Sequence, residues 1–398
     1  MDVRRPFALL WISQALSQFG TSVSSLAYPL LILELTGSAA QAGLVGAVVA
    51  VAGLVTRLPA GSLADRRPPR PLMLAADAAR AILLAVLAVS VSAGLAGIGP
   101  VLVVVGLEVC AGAVFGPAEF RLLRAISAPE ERAIAVGRMQ SRSQLAGLLG
   151  PLAGGVLFGI APWLPFAVDA LSYAASFALV AALPRAASSV DSGAGAVPGR
   201  ERKSAWRWLR RDGFLLPAAL WVAALTATFS AVGLIVIVVA QDRGAGSAAI
   251  GLMSSISAAG GLAGALLTPA IQRRLRPGAV FRLAALVDTA ATVALLPLQS
   301  PVLIGVAGAV AFFSAPVVAA SLFGEVSVRV PDALVGRAQS SMVLVVGLLA
   351  PVTPVLAGLV LDRSGSTGGI IACATVFAVL TVVSLVLPAF RRAAADAR

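Results

Sequence analysis

Runs of about twenty apolar residues follow one another along most of the chain, and short polar segments separate them. Hydrophobic residues make up 59% of the 398 residues and charged residues 12%, about half the charged share of a soluble globular protein. A water-soluble fold could not bury so much apolar surface, whereas one membrane-spanning helix needs about 20 such residues. The sequence therefore predicts an all-α membrane protein with about twelve transmembrane helices.

The apolar runs fall into two groups of six. The predicted spans cover residues 7–34, 39–60, 71–94, 98–120, 133–159, 162–183, 214–240, 246–270, 279–297, 301–326, 336–361 and 368–389. Between the groups, a segment rich in serine and glycine predicts a flexible linker. We expect an N-terminal six-helix bundle at 1–184, a cytoplasmic linker at 185–212 and a C-terminal six-helix bundle at 213–398.

A short segment occurs twice, about half a chain length apart. The pattern Val-Gly-Arg-x-Gln-Ser occupies residues 136–141 and 335–340, and Gly-Leu-Leu-x-Pro follows at 147–151 and again at 347–351. Two related halves in parallel orientation, in an apolar chain, are typical of transporters in which one bundle rocks against the other around a central site. We therefore expect two pseudo-symmetric bundles.

The net charge of +12 reflects orientation in a membrane rather than nucleic-acid binding. Basic residues crowd alternate connections, whereas the connections on the other side carry only Arg243 and Arg363. This asymmetry predicts that both termini lie in the cytoplasm. The basic stretch 202–211 suits a short helix lying on the anionic inner leaflet, or equally an orienting basic loop.

Several classes of protein are excluded by residues that the chain lacks. The single lysine, Lys203, follows Arg202 rather than glycine, so the sequence contains no phosphate-binding loop of an ATP-driven pump. The chain has no histidine, which excludes HExxH metalloprotease chemistry. Cys110 and Cys373 fall in apolar runs and are interpreted as packing residues. We expect no enzyme activity, metal or cofactor.

The connection at residues 61–70 carries an acid and several arginines in a tight turn. It resembles the signature loop of the major facilitator superfamily, and the matching residues are Gly61, Asp65, Arg66 and Arg70. Pro68 and Pro69 depart from the pattern, where the family has a glycine and a basic residue. The resemblance implies the fold of that family and a loop that latches its two halves on the cytoplasmic side.

Charged residues also flank the repeated segment in both halves. Clusters of this kind form cytoplasmic gate networks in the superfamily, and the candidates here are Glu131, Arg138, Asp332 and Arg337. The same residues could equally be solvated helix caps.

The fifth span carries glycines about one helical turn apart, together with a proline. Such a face allows close approach and bending of the helix. It resembles the antiporter motif of exporters in the superfamily, whose residues would be Gly147, Gly150, Pro151, Gly154 and Gly155. The alternative is that the glycines and the proline only pack the span.

A third family motif, an arginine four residues before a glycine in the fourth span, is missing. Aligning Gly112 with that glycine places Glu108 at the arginine position. Acidic residues inside spans are costly and point to function. Since the chain has no histidine, a proton relay would rest on carboxyl groups, and the candidates are Glu108, Asp169, Asp77 and Asp288. Asp77 could instead pair with Arg80, and Asp169 could bond locally to Ser172 and Tyr173.

Polar and aromatic side chains in three spans could line a substrate cavity. The candidates are Gln14, Gln18, Tyr28, Phe229, Phe312 and Phe313. These residues predict a mostly apolar cavity with few fixed charges, suited to hydrophobic or amphipathic compounds.

Further phrases, including residues 35–38, 115–118 and 166–173, resemble the bacterial branch of the superfamily that contains macrolide and siderophore exporters. The resemblance implies a secondary active antiporter in the bacterial cell membrane, which exchanges protons for a small organic molecule and works as a monomer. Its expected partners are that molecule, protons and the lipid bilayer, with no nucleic acid. An importer of the same fold and a non-transporting sensor or scaffold are the alternatives.

Overall fold

The computed structural model describes residues 4–126, 132–183, 209, 212–387 and 390. Within these ranges every regular element is an α-helix, which agrees with the predicted fold class. The thirteen helices are α1 (Arg4–Thr36), α2 (Ala39–Arg66), α3 (Pro69–Ser92), α4 (Ile98–Ile126), α5 (Arg132–Ile160), α6 (Leu164–Ala181), α7 (Leu215–Asp242), α8 (Ser247–Arg274), α9 (Pro277–Ala294), α10 (Pro301–Phe312), α11 (Ser314–Arg329), α12 (Asp332–Gly347) and α13 (Thr353–Val386).

Eleven segments of the described chain are long and apolar enough to cross a membrane. Helices α10 and α11 form one of them, Pro301–Arg329, with a break at Phe313. The predicted span 336–361 is not one continuous helix, because turns at residues 348–352 separate α12 from α13. Pro351 and Pro354 explain the break, since proline lacks the amide proton that continues a helix.

Helix α13 contains more than one segment. Gly365 has a φ of 66° and a ψ of −174°, which interrupts the helical backbone between the predicted spans 336–361 and 368–389. Only glycine adopts this backbone conformation without strain, because a side chain would clash there. The glycine therefore divides α13 where the sequence predicts a connection between two spans.

The chain forms two compact units. Unit 1 consists of Met1–Gly37, Val48–Ala196 and Gly246–Ser255, and unit 2 consists of Ser38–Ala47, Val197–Ala245 and Ile256–Arg398. Two helices therefore contribute to both units: α2 begins in unit 2 and continues in unit 1, while α8 begins in unit 1 and continues in unit 2. Each unit is described separately below.

In unit 1, helix α1 packs along α5 and α6, and α3 packs against α4 and α6. A cluster of buried apolar side chains that includes Leu10, Met73, Phe115 and Leu122 joins α1, α3 and α4. These contacts place one face of α1 in the interior of unit 1, opposite α3 and α4.

In unit 2, helix α7 is the most buried of the spans and packs against α12 and α13. Aromatic rings brace one end of this helix. Trp221 packs edge-on against Phe281, with ring centroids 5.0 Å apart, and Phe281 contacts Phe390 at 5.3 Å. The Trp221 indole N–H donates to the Leu380 carbonyl at 2.9 Å, so the buried polar group of this side chain is satisfied.

Helices α8 and α10 of unit 2 meet at their backbones. Gly260 faces the Ala309 backbone, Gly264 faces the Phe313 backbone, and Gly308 faces the Ser257 side chain. Small residues allow this approach, and close van der Waals packing of this kind stabilises helix pairs in lipid. The neighbouring Gly261 is different, because a Cβ built there would lie 3.7 Å from the Phe312 carbonyl oxygen, an ordinary contact.

We expect Gly260→Ala to lower the stability of unit 2 by about 1–3 kcal/mol, since the new methyl group would collide with backbone atoms that cannot move aside. The adjacent Gly261→Ala is the matched control and should be neutral or slightly stabilising, because alanine favours helix by about 1 kcal/mol. Thermal unfolding of the purified protein in detergent measures both variants. Equal effects of the two substitutions would contradict the backbone contact.

Candidate functional site

Helix α1 presents a polar face to the interior of unit 1. Ser17, Gln18 and Thr21 lie three, four and seven residues after Gln14, which places all four on one side of the helix. Gln14 and Ser17 are buried, with 4% and 2% of their surface exposed. A continuous polar stripe inside an apolar chain needs polar partners on the facing helices.

A cavity of about 340 Å³ lies against this stripe, within unit 1. Helices α1, α3, α4 and α5 supply its wall. The lining residues are Gln14, Ser17, Gln18, Thr21, Ser22, Arg80, Gly112, Phe115, Gly116, Glu119, Ser143 and Ala146. Most of them are polar and two are charged, so this cavity differs from the mostly apolar one that the sequence predicts.

Glu108 of α4 lies at the centre of a buried network beside the cavity. Its carboxyl group accepts hydrogen bonds from the hydroxyls of Tyr28 at 2.6 Å and Tyr173 at 3.0 Å. The guanidinium group of Arg80, from α3, lies 3.8 Å from the same carboxyl group and 4.0 Å from the centre of the Tyr173 ring. The Tyr173 hydroxyl also lies 2.7 Å from that of Thr21, a cavity residue.

Arg80 places a positive charge beside Glu108, which occupies the position where the family motif has an arginine. It comes from α3 rather than from α4, and it lies over Gly112, where a Cβ would be 3.3 Å from the guanidinium group. Gly112, which aligns with the glycine of the family motif, therefore still lies against an arginine. The sequence suggests Arg80 only as a partner for Asp77, because these two residues lie one turn apart on the same helix.

Asp77 and Asp169 are bound by hydroxyl groups from neighbouring helices. Ser176 of α6 donates to Asp77 at 2.6 Å, whereas the close ion pair of Arg80 is with Glu108 rather than with Asp77. Ser24 of α1 donates to Asp169 at 2.5 Å, and Ser172 donates at 3.2 Å. Both carboxyl groups are fully buried, at 0% exposure.

Asp169 also depends on a close approach of α1 to α6. A side chain at Gly20 would collide with the Ser172 hydroxyl and with the Asp169 carboxyl group. The expected local bond to Ser172 is present, whereas the Tyr173 hydroxyl is directed to Glu108 and Thr21. The short distance between the two helices therefore holds Asp169 away from water.

Glu119 and Arg142 form an ion pair that sequence reasoning missed. Glu119 of α4 and Arg142 of α5 are 4% and 3% exposed, and Arg142 donates directly to the Glu119 carboxylate. Both residues lie in or at the end of predicted spans, and an acid and a base in adjacent spans were the signal that could have revealed them. Glu119 also forms part of the cavity wall.

Among the described residues of unit 1, the buried charges do not balance. Asp77, Glu108, Glu119 and Asp169 supply four carboxyl groups, while Arg80 and Arg142 supply two guanidinium groups. A buried carboxylate without a counter-charge is costly, and a bound proton removes the cost. The described interior of unit 1 therefore holds more acidic than basic side chains.

In the part of unit 2 that the structure describes, one acid is buried in a comparable way. Asp288 of α9 is fully buried, and Ser314 donates to its Oδ2 at 2.9 Å. Its Oδ1 has no hydrogen-bond partner among the described residues. This acid lies in a different compact unit from Glu108, Asp169 and Asp77.

The glycines of the fifth span set the distance between α5 and α1. Added side chains at Gly150 and Gly154 would collide with Ser22 and with the Val23 backbone, respectively. Gly155 lies instead against Gly251, beside Ser247 of α8, and the Pro151 carbonyl faces the same Gly251. Gly147 has nothing within 4 Å of an added Cβ. Gly150, a residue of the antiporter-like motif, therefore packs against Ser22, which lines the cavity.

The residues of the signature loop are divided between surface and helix ends. Asp65 and Arg66 are exposed in the last turn of α2. Arg70 donates to the carbonyls of Val180 at 3.2 Å and Ala181 at 2.5 Å, so it caps the C-terminus of α6. Gly61 is also in α2, and a side chain there would meet only open space.

The other gate candidates are only partly described. Arg138 is exposed on α5, and its carbonyl accepts the indole N–H of Trp11 at 3.2 Å. Arg337 is half-buried in α12, whose first residue is Asp332. Glu131, the side chain of Asp332 and nearly all of the basic linker segment lie outside the described residues.

The aromatic candidates for the cavity lie elsewhere. Phe229 is buried in unit 2, with its ring 5.2 Å from that of Phe312 and 5.5 Å from that of Phe377. The Phe313 backbone packs against Gly264. Tyr28 of unit 1 is buried and directs its hydroxyl to Glu108 rather than into the cavity wall. Among the predicted lining residues, the structure places Gln14 and Gln18 in the cavity described above.

Across the described residues, no group of three or more histidine, cysteine, aspartate or glutamate side chains could hold a metal ion. Cys110 and Cys373 are both free thiols.

Comparison with known proteins identifies the family of folds. The family described as Major Facilitator Superfamily matches residues 10–350. Among solved structures, the nucleoside transporter NupG is 16% identical with a TM-score of 0.75, covering 99% of each chain. A bacterial homologue of the human lysosomal transporter Spinster, in an inward-facing and unoccupied conformation, is 15% identical with a TM-score of 0.73, covering 99% of this chain and 97% of that one.

A transporter of the POT family, solved in complex with a thioalcohol-conjugated peptide, is 13% identical with a TM-score of 0.74, covering 96% of each chain. At these identities the likeness shows the fold alone. No curated protein matches the chain.

The buried Glu119 and Arg142 pair yields a stability prediction. We expect Arg142→Met to destabilise the protein by about 3–5 kcal/mol, because it leaves the Glu119 carboxylate buried without a counter-charge. The double variant Glu119→Gln with Arg142→Met removes both charges and should recover most of the loss. Thermal unfolding in detergent measures this recovery, and a double variant no more stable than Arg142→Met would contradict the pairing.

Proposed function

We propose, since the chain belongs to the major facilitator superfamily of membrane transporters, that it exports a small organic compound in exchange for protons. The single observation that carries the proposal is the charge imbalance of unit 1. Four buried carboxyl groups and two arginines lie within the same group of helices as a polar cavity, and Arg80 and Glu119 line that cavity, so the site can bind protons as well as a solute. The proton gradient is the energy source, and no cofactor takes part.

A chain of hydroxyl groups connects the cavity to Glu108. Thr21 lines the cavity, its hydroxyl lies 2.7 Å from that of Tyr173, and Tyr173 lies 3.0 Å from the Glu108 carboxyl group. A proton that arrives at Thr21 can therefore reach Glu108 through Tyr173, although Glu108 itself is not in the cavity wall. Such short hydrogen-bonded routes are general features of proton relays in membrane proteins.

Arg80 couples the proton to the solute. Its guanidinium group lies 3.8 Å from Glu108, at the long end of an ion pair, and it also lines the cavity. When Glu108 binds a proton its negative charge is lost, and the attraction that holds Arg80 to it weakens. Arg80 is then available to the cavity, so proton binding at Glu108 changes how the site binds its solute.

The direction of transport rests on the fifth span. Gly150, Pro151 and Gly154 resemble the antiporter motif of exporters, and the two glycines bring α5 against α1 beside the cavity. An importer of the same fold is the second candidate, and a non-transporting sensor is the third. A sensor would bind the solute without moving it, which separates it from both transporters.

The protein works as a monomer in the bacterial cell membrane with both termini in the cytoplasm. The crowding of arginines in alternate connections supports this orientation. The resemblance of three short phrases to bacterial exporters supports the location.

A growth panel of toxic compounds in an exporter-deficient bacterial host tests export. We expect the wild-type chain to raise tolerance to at least one compound, and Glu108→Gln to return tolerance to that of cells without the protein. Glu34→Gln, at an exposed position on α1, is the matched control and should behave as wild type. Equal protein levels in the membrane fraction are checked by immunoblot.

Two results would refute proton-driven export. If the intracellular accumulation of every compound is the same with and without the protein, export is refuted. If efflux continues unchanged after the proton gradient is collapsed, proton coupling is refuted.

A second test concerns the fifth span. We expect Gly154→Val to abolish efflux, because the side chain would force α5 away from the Val23 backbone and distort the cavity wall. Gly137→Val, in the same helix but outside the motif, is the matched control, since an added Cβ there meets open space, and it should retain more than about half of the efflux rate. Rates are measured with the compound found in the growth panel. If both variants lose the efflux rate equally, the contact between Gly154 and the Val23 backbone does not explain the motif.

A further inference from the structure

We infer that the cavity of unit 1 recognises a neutral amide group of the transported compound: its carbonyl oxygen accepts from Gln14 and Arg80, and its N–H donates to Gln18. The inference rests on the proposed function, since it names the substrate class of the same site. It replaces the hydrophobic or amphipathic substrate that the sequence predicts with one that carries a polar head.

Three unpaired polar atoms on residues that line the cavity support the inference. The Gln14 Nε2, the Gln18 Oε1 and the Arg80 Nε have no hydrogen-bond partner within the described part of the chain. Gln14 is 96% buried and the Arg80 side chain is 11% exposed. The three atoms have almost no accessible surface, so the ends of these side chains must turn toward the cavity before a ligand can bond to them. Buried polar groups are nearly always paired, so three unpaired, or orphan, groups on residues around one cavity indicate that a ligand completes them.

The chemistry of the orphans specifies the ligand group. Two of them are donors, on Gln14 and Arg80, and one is an acceptor, on Gln18. A carbonyl oxygen has two lone pairs and accepts two hydrogen bonds, while an adjacent N–H supplies one donor. Gln14 and Gln18 are four residues apart on α1, so they lie about 6 Å apart on one face and their long side chains can converge on a single group.

The charge of the wall favours a neutral ligand. Arg80 is paired with Glu108, and Glu119 is paired with Arg142, so the two charged lining residues are each already balanced. The uncompensated acids, Asp77 and Asp169, do not line the cavity. An amide satisfies the orphan groups without adding a charge that the wall would have to balance.

The remaining wall accommodates a small apolar body. Phe115, Ala146, Gly112 and Gly116 supply apolar surface beside the polar stripe. A volume of about 340 Å³ is at the lower end of small-molecule sites. The site therefore fits a compact aromatic or aliphatic amide better than a long lipid-like molecule.

Binding of four probes of similar size to the purified full chain in detergent tests the inference. Benzamide offers the acceptor and the donor, acetophenone offers the acceptor alone, benzoate carries a negative charge, and ethylbenzene has no polar group. We expect benzamide to bind at least about tenfold more tightly than acetophenone by calorimetry, because acetophenone leaves the Gln18 oxygen unpaired. Ethylbenzene should bind more weakly than both.

Variants assign the contacts. Gln18→Leu should abolish the preference for benzamide over acetophenone, and Gln14→Leu should weaken both probes. The matched control is Gln272→Leu in α8 of unit 2, whose amide lies 3.5 Å from the Ser321 hydroxyl and which should leave probe binding unchanged. In the absence of probe, the unfolding temperatures of Gln14→Leu and Gln18→Leu should not fall, since each removes an unpaired buried group.

The contrary results are distinct. Tighter binding of benzoate than of benzamide, or equal binding of all four probes, would overturn the amide site. A fall in unfolding temperature without loss of benzamide binding would assign the glutamines a structural role and overturn it as well. Benzamide binding that follows the expected pattern, with no proton-driven efflux, would refute the exporter and keep the amide site. Proton-driven efflux that is unchanged in both glutamine variants would refute the amide site and keep the exporter.

Discussion

The cost of burying charge in a medium that cannot solvate it determines how unit 1 is arranged. Glu119 and Arg142 meet this cost by direct pairing, and a pair of this kind is stable only while both partners remain. Glu108 and Arg80 offset this cost less completely, because their charged groups are 3.8 Å apart. Two tyrosine hydroxyls also donate hydrogen bonds to Glu108. Asp77 and Asp169 rely on serine hydroxyls. The buried acids of unit 1 therefore range from a tight ion pair to carboxyl groups that are bonded by hydroxyls.

The fold could be predicted from the sequence because its signals are local and repeated. Apolar runs of helical length and a duplicated segment suffice to indicate an all-helical membrane protein, and the family match agrees. The exception is the span 336–361. Its hydropathy predicts one helix, but Pro351 and Pro354 remove backbone donors within a few residues of each other, and the chain turns at 348–352. The mean hydropathy of a span does not show where such a break lies.

The site was harder to predict, because its geometry depends on how helices are rotated against each other. Asp77 and Arg80 are one turn apart on α3, yet Asp77 bonds to α6 and Arg80 lies against α4. Sequence spacing alone favours a pair within the helix and cannot reveal this divergence. Glu108, Gln14 and Gln18 could be proposed from the sequence because an acid in an apolar run, or two amides at helical spacing, are visible without a partner. Arg142 required knowledge of which helix faces α4.

The polar face of α1 has a consequence for the way the protein is made. Together with α9, this helix is the least apolar of the described candidate spans, because its interior face carries amides and hydroxyls instead of leucine and valine. It is also synthesised before helices whose side chains bond to that face: Arg80 on α3, which contacts Thr21, and Asp169 on α6, which contacts Ser24, both emerge later. A helix of this kind partitions weakly into lipid on its own, and it is held firmly in the bilayer only after its partners arrive. The amides and hydroxyls of α1 thus make this span dependent on completion of the bundle, and exposed to membrane quality control until then.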